Sequence, residues 1–321
     1  MSHTRPVTPR TPALQSAPIR IATPSIGTRG SPLALKQAEA VRAALAGIGI
    51  MGAVAPIRTT GDRITDRPLA EAGGKGLFTK EIDEALLAGR IGLAVHSAKD
   101  LPTLLPEGIV IAACLPRADV RDAFLSRRAT HLHDLPQGAV VGTSSLRRSA
   151  LALRLRPDFA IVPMRGNVET RLRKLEAGEA DATILALAGL TRLGLADRAA
   201  GILATDEWLP APGQGAIAIT ARADDGAMLE ALAQIDHHAT SVALATERAF
   251  LAVLDGSCRT PIGGLAEIEG TTVRFRGIIV KPDGRIAHEV ERRGETSVAE
   301  ALGADAGAEL ARRGGPDFFS E

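Results

Sequence analysis

Short apolar runs alternate with amphipathic stretches along most of the chain, and the alternation predicts strand–loop–helix units. Residues 26–28 read as a short strand. Ser31-Pro32 then opens a helix running to Leu45, since serine before proline is a favoured helix start. Phe78, Ile82, Ala85 and Leu86 share one face of a helix that Gly89 ends. Residues 91–95 form a strand, left through His96-Ser-Ala-Lys-Asp100, and the unbroken apolar run 109–114 is a buried strand. A second series follows. Strand 139–142 leads through Thr143-Ser-Ser145 into a helix carrying Arg147 and Arg148. Strand 159–164 leads through Arg165-Gly-Asn167 into a helix with Val168, Leu172 and Leu175 inward, and 181–185 is a further strand. Two such series predict two α/β domains with mainly parallel sheets.

The last third has a different rhythm. Residues 241–254 are helical, and Cys258 sits in a Gly256-Ser-Cys-Arg-Thr-Pro261 loop. Runs 273–280 and 285–291 around Pro282-Asp-Gly284 read as a hairpin, and 298–313 is a final helix. A small C-terminal α+β domain therefore begins after a boundary near residue 235. At the other end, residues 1–18 carry Pro6, Pro9, Pro12 and Pro18 with no apolar period, and read as a disordered extension. They lack the apolar core of a secretory signal, and their prolines would break a transit-peptide helix. The expected location is the cytoplasm.

Composition narrows the function. The 321 residues are 45% hydrophobic, enough for real cores, and 38 basic against 37 acidic residues leave a net charge of +1. That balance, with 2% aromatics and no tyrosine, argues against nucleic-acid binding. No apolar run is long enough to span a bilayer. Two cysteines are too few for a disulfide framework, and His131-x-His133 and His237-His238 lack a third ligand at a recognisable spacing, so no metal is expected. Six of the basic residues are lysine and the rest arginine. Genomic base composition accounts for this as well as carboxylate recognition does, until position is considered.

Position favours recognition. Thr28-Arg-Gly-Ser31, Ser97 to Asp100, Thr143 to Arg148 and Arg165-Gly-Asn167 all follow expected strands, where open α/β sheets bind ligands. Helix capping explains Ser31, Ser145 or Asn167 singly. It does not explain a cation beside each cap, which opposes the helix dipole by about 0.3–1 kcal/mol per group. The set reads as a site for a ligand with several negative charges. Asp100 is the acid among these bases, and on the motif alone a structural ion pair and a charge-stabilising or proton-moving role fit equally. Gly73-Gly-Lys-Gly76 has neither Walker nor dinucleotide spacing, and reads as a plain surface loop or a mobile cover in equal measure. Cys114 lies in an apolar strand and reads as inert core. Cys258, beside Arg259, reads as a plain loop cysteine or a reactive thiolate.

Together these segments resemble the porphobilinogen deaminases, also called hydroxymethylbilane synthases. The matching pieces are Gly27-Thr-Arg-Gly-Ser-Pro-Leu-Ala-Leu35, Thr59-Thr-Gly-Asp62, Gly73-Gly-Lys-Gly-Leu-Phe78 and His96-Ser-Ala-Lys-Asp-Leu-Pro102. Gly142-Thr-Ser-Ser-Leu-Arg-Arg148, Arg165-Gly-Asn-Val168 with Arg171, Pro212-Gly-Gln-Gly-Ala216 and Gly256-Ser-Cys-Arg-Thr-Pro-Ile262 complete the set. Eight motifs in family order cover the chain from about residue 19 to its C-terminus. The resemblance implies a transferase that joins four porphobilinogen molecules head to tail with loss of ammonia, then releases hydroxymethylbilane by hydrolysis. It implies a dipyrromethane cofactor held through a thioether to Cys258.

By motif, Asp100, Lys99, Arg29 and Lys75 match catalytic positions. Ser31, Ser97, Thr143, Ser145, Arg147, Arg148, Arg165, Arg171 and Gly215 match cofactor contacts, as do Lys99 and Asp100. Arg29, Phe78, Arg165, Arg171, Arg192 and Gln214 match substrate contacts. The acetate and propionate of each pyrrole would give the arginines their ligand, and Asp100 would stabilise the cationic azafulvene left when ammonia departs. The implied architecture is two periplasmic-binding-protein-like domains, 19–115 with a return crossing at 216–233 and 120–210, and a third domain, 238–321, that carries Cys258. A monomer is expected. Ser257 stands where glycine is common in the family. A non-catalytic anion-binding protein of the two-domain clam type suits the arginines too, but leaves Asp100 and the Cys258 domain without a role.

Overall fold

A computed structural model describes residues 23–63, 76–254 and 260–319. The first half-chain holds β1 (Ser25–Arg29), α1 (Pro32–Gly47), β2 (Ala53–Ile57), α2 (Thr60–Arg63), α3 (Lys80–Leu87), β3 (Leu93–Ser97) and β4 (Ile109–Cys114). Then come β5 (Asp122–Ser126), β6 (Val140–Gly142), α4 (Leu146–Leu155), β7 (Ala160–Val162), α5 (Val168–Glu176), β8 (Ala182–Ala186), α6 (Leu187–Arg192) and β9 (Gly201–Leu203). The chain ends with β10 (Ile217–Arg222), α7 (Gly226–Ala233), α8 (His238–Val253), β11 (Ile262–Glu269), β12 (Thr272–Val280), β13 (Ala287–Glu295) and α9 (Ala299–Gly314).

Two five-stranded sheets share one plan. The first has the order β2-β1-β3-β10-β4 and the second β7-β6-β8-β5-β9. In the first, β1 pairs in parallel with β2 and β3, while β10 runs antiparallel to β3 and β4. In the second, β6 pairs in parallel with β7 and β8, while β5 runs antiparallel to β8 and β9. In each sheet the opposed strand is the one that arrives from the other sheet, β5 after β4 and β10 after β9, so the chain crosses between the two units twice. A third sheet, β11-β12-β13, is an antiparallel meander covered by α8 and α9.

Each sheet has its own core. Ile26, Val41, Leu45, Leu93, Val95 and Ile219 fill the first. Phe124, Val141, Leu151, Ile184 and Trp208 fill the second, where Ile278 and Val280 of β12 join them and dock the third unit. Phe250, Phe275, Ile279 and Leu310 fill the third, the two phenylalanine rings 4.9 Å apart at a tilt. Burying each such side chain contributes about 1.5–3 kcal/mol.

The helix starts follow local chemistry. The Ser31 hydroxyl accepts from Ala34 N–H, with Pro32 at the first helical position, and Asn167 accepts from Thr170 N–H at 2.9 Å. The helix expected from Ser241 starts at His238 instead, because the His237 ring accepts from Thr240 N–H and caps it. The hairpin's return strand runs as far as Glu295, because β12 from Thr272 offers pairing along its whole length. Strands β2, β5, β9, β10 and β11 lie outside the apolar pattern that predicted the others, and β10 falls in the return crossing that only the family resemblance implied. The extension 1–18, the Gly73–Lys75 part of the glycine-dense loop, and the 256–259 part of the Cys258 loop, Cys258 included, lie outside the described residues.

The crossings are fastened by a buried ion pair. Arg117 donates to both carboxylate oxygens of Glu247 on α8 at 2.7 and 3.0 Å, and its Nε donates to the Gln214 carbonyl at 2.9 Å. Glu247, fully buried, also accepts from the backbone N–H groups of Gly213 and Ala266. The second crossing turns tightly there. Gly213 and Gly215 have φ of +77° and +85°, and a Cβ on them would lie 2.9 Å from Lys99 N and 2.5 Å from the Ala118 carbonyl. The glycines of the Pro212-Gly-Gln-Gly-Ala216 motif thus let this crossing pass against both the first crossing and the turn that carries Lys99.

Candidate functional site

The polar clusters sit at strand ends, where the sheets open. Arg29 closes β1, and its guanidinium lies over the Phe78 ring, 4.1 Å from the centroid. Phe78 itself precedes α3. Ser97 closes β3, and its hydroxyl pairs with the side-chain amide of Gln37 on α1. A single 3₁₀ turn then presents Lys99 and Asp100, both half-buried. His96, buried on β3 against Thr220, is pushed down to about 4 by burial and then by Arg29, so it stays neutral near pH 7.

From the second unit, Thr143 follows β6 and its hydroxyl accepts from Ser145 N–H at 3.1 Å. Ser145 in turn caps α4 by accepting from Arg148 N–H. Arg147 and Arg148 both turn to Asp122, the first residue of β5. Arg147 Nη2 donates to Asp122 at 2.8 Å and Arg148 Nη2 at 2.7 Å, and Arg147 Nη1 reaches the Leu209 carbonyl at 2.8 Å. Burial raises the Asp122 carboxyl's proton affinity, but Arg148 and Arg147 outweigh it and hold the group far below the usual carboxylate range. Arg171 on α5 donates from Nε to the Gly166 carbonyl, and Arg192 at the end of α6 donates to the Gly215 carbonyl at 2.7 Å. Gln214 is fully buried, donating to Asp122 and to the Val120 carbonyl and accepting from Lys99 Nζ at 3.3 Å.

The electrostatics mark these residues as one cluster. Lys99 is pushed down to about 8, by burial first and next by Arg148, with Asp100 and Asp122 acting against the shift. Arg171 is pushed down to about 10, by burial and then Arg148, with Asp100 opposing and Arg165 adding to the shift. Arg192 is lowered by burial. Lys99, Asp100, Arg148, Arg165 and Arg171, drawn from both units, therefore lie within electrostatic reach of one another. Positive charge exceeds negative there, an arrangement that binds anions. Lys75 and Cys258 lie outside the described residues. Asp122, Gln37 and Glu247 went unread in the sequence. Asp122 opens a strand that the apolar pattern did not mark, and nothing local to Gln37 or Glu247 signals a partner far along the chain.

The family model described as porphobilinogen deaminase, dipyromethane cofactor binding domain, matches residues 25–230. The chain belongs to the porphobilinogen deaminase family. The model for the porphobilinogen deaminase C-terminal domain matches residues 242–312. A porphobilinogen deaminase of Nitrobacter hamburgensis is 59% identical over 300 residues, covering 92% of this chain and 95% of the relative. One of Nitrobacter winogradskyi is 58% identical with the same coverage. Among solved structures, a nutrient binding protein from Burkholderia cenocepacia bound to methionine covers 66% of this chain and 90% of its own at 16% identity. Its TM-score of 0.42 carries no further conclusion.

The residues fit a carboxylate-rich cofactor. Arg147 Nε is buried without a hydrogen-bond partner, a donor that an anionic group would satisfy. Lys99 and Arg171 are depressed first by burial and then by the neighbouring Arg148, and bound carboxylates would offset both by stabilising the charged forms. Among the described residues no cluster of His, Cys, Asp and Glu is placed to hold a metal, and no helix is long and apolar enough to cross a membrane.

Proposed function

We propose that this chain is a hydroxymethylbilane synthase acting on porphobilinogen, with a dipyrromethane primer held through a thioether to Cys258 and Asp100 as the catalytic carboxylate. The observation that carries the reading is the setting of Asp100, a carboxylate in the turn after β3 that acts electrostatically on Lys99 and Arg171, with Arg148 and Arg165 in the same cluster. When bound, the primer would supply the pyrrole carbon to which the first substrate unit is joined, each later unit joining the ring added before it. Arg148, Arg165, Arg171 and Arg192 would hold acetate and propionate groups by charge-assisted hydrogen bonds from the guanidinium N–H groups not already taken by Asp122, Gly166 and Gly215. Arg29, fixed over Phe78, and Ser31, Ser97, Thr143 and Ser145 at helix and strand ends complete the polar wall.

In each addition the substrate's aminomethyl C–N bond breaks, the electron pair leaves on nitrogen, and ammonia departs. A C–C bond forms, and the attacked ring carbon gives up its proton. Asp100 stabilises the positive charge that develops on the substrate as the C–N bond breaks. Lys99, pushed down to about 8, is within a unit or so of neutrality and suits a proton-handling role beside it. Lys75 is assigned to this machinery by motif. The reading includes a monomer in the cytoplasm, which sedimentation and cell fractionation check.

Intact mass tests the primer: wild type should carry the mass of two linked pyrroles and Cys258→Ala should not. A wild-type mass unchanged even after incubation with porphobilinogen would overturn the reading.

A further inference from the structure

We infer that Asp122 is a positioning residue for this site, a buried carboxylate that sets Arg147, Arg148 and, through Gln214, Lys99 in one connected array. The inference rests on the function proposed above and adds a residue to it. Asp122 is completely buried and receives five hydrogen bonds from four side chains. Oδ2 accepts from Arg147 Nη2 at 2.8 Å, Arg148 Nε at 3.3 Å and Trp208 Nε1 at 2.8 Å. Oδ1 accepts from Arg148 Nη2 at 2.7 Å and Gln214 Nε2 at 2.9 Å. Gln214 then presents its carbonyl oxygen to Lys99 Nζ. A path of three side chains thus runs from the second unit to the turn beside Asp100 in the first.

Stability alone does not account for such a carboxylate, since an apolar group of matching shape often serves a buried site as well as an ion pair does. Its effect on the crevice does. Two guanidiniums on one carboxylate leave a net charge of one, and Arg148 is the foremost charge acting on both Lys99 and Arg171. Asp122 therefore meters the positive field felt there and fixes the direction from which it comes. The charged groups acting on Lys99 are Arg148 and Arg147 from α4, Asp122 from β5, and its neighbour Asp100.

The test uses full-length wild type, Asp122→Asn and Gln214→Leu. Lysine acylation by acetic anhydride across a pH series, read on the Lys99 peptide by mass spectrometry, gives the midpoint of Lys99 ionisation. Trp208, the chain's only tryptophan, reports on the Asp122 site by its emission. Wild type should label with a midpoint near pH 8. Asp122→Asn leaves both arginines uncompensated, so its midpoint should fall by about one unit, with kcat/KM down about a hundredfold through misplaced contacts. Gln214→Leu keeps the arginine pairs and the Trp208 bond but cuts the path, so Trp208 emission stays while the midpoint still falls. If Asp122→Asn does not fold, Gln214→Leu decides alone. An unmoved midpoint in the folded variants would overturn the inference even in an active enzyme. A wild type without deaminase activity would instead overturn the function, leaving the labelling result interpretable.

Discussion

Asp100 and Asp122 belong to two sheets of the same plan, yet they live in opposite surroundings. In the first unit the acid sits in the turn after β3, half-buried, with Lys99, Arg171 and the crevice around it. In the second the acid opens β5, is fully buried, and has its oxygens taken by two arginines, a tryptophan and a glutamine. The corresponding opposed strand of the first sheet, β10, begins with Ile217 instead. One scaffold, with a carboxylate moved from strand start to strand-end turn, thus yields an anchor on one side and a half-buried acid beside cations on the other. An acid whose hydrogen bonds are spoken for can hold other groups still; one facing a crevice of cations can answer charge that appears on a substrate.

The sharpest way to break the comparison is to remove the open acid. Asp100→Ala should fold, load its primer by intact mass, and lose turnover by about a hundred- to ten-thousandfold. Its unfolding free energy should stay within the range of a surface substitution, about 0.5 kcal/mol of wild type. Near-normal turnover would remove Asp100 from the mechanism.

A buried carboxylate behaves the other way, and Glu247 shows it outside the site. Glu247→Ala strands Arg117 at the crossing and frees Gly213, and should cost about 3–5 kcal/mol in urea unfolding. A loss below about 1 kcal/mol would mean that the crossings are held elsewhere.

The charge on Lys99 gives the next, smaller effect. As pH rises through about 8, Lys99 loses its proton and the crevice one positive charge, so kcat/KM should fall several-fold over that range. Lys99→Arg stays charged and should flatten this limb while lowering the plateau, because a guanidinium does not reproduce the contact to Gln214. A limb unchanged in Lys99→Arg would assign the titration to another group.

Much of this was legible in the chain, and the limits were physical. Strands fed by unbroken apolar runs, such as β4, and helices with a clear cap, such as α1, declared themselves through local pattern. So did several cations, because Lys99, Arg148 and Arg165 stand beside caps where a positive charge is locally unfavourable, whereas Arg171 entered only through the family resemblance. Strand β5 did not, since it opens on Asp122 and only Ala123, Phe124 and Leu125 are apolar before Ser126. The acid's worth lies in Trp208 and Gln214, 86 and 92 residues further on. Glu247 looks like any helical glutamate, and only its place under two crossings makes it buried. Sequence spacing reveals what neighbours demand of each other locally; it is silent about partners brought together by a crossing.

A third aspartate sharpens the contrast between the first two. Asp83 on α3 is 4% exposed, has an Oδ1 without a hydrogen-bond partner, and is pushed up to about 6 by burial, partly offset by the Thr79 hydroxyl. Unlike Asp122, it is offered no cation among the described residues. Its folded-state proton affinity exceeds the unfolded value near 4, so the folded protein binds the extra proton between about pH 4 and 6. Whatever stability that proton contributes is present below pH 4 and lost as pH rises through 6. At pH 7 the charged, buried Asp83 is therefore a burden. Asp83→Asn, which keeps the shape and removes the charge, should make the protein more stable at pH 7 by about 1 kcal/mol, after allowance for screening by nearby water. The gain should shrink towards zero as pH falls to 4, a trend that urea titrations at the two pH values would show. A variant destabilised at pH 7 would mean that the Asp83 charge has a partner of its own, and that burial without a cation is not what separates it from Asp122.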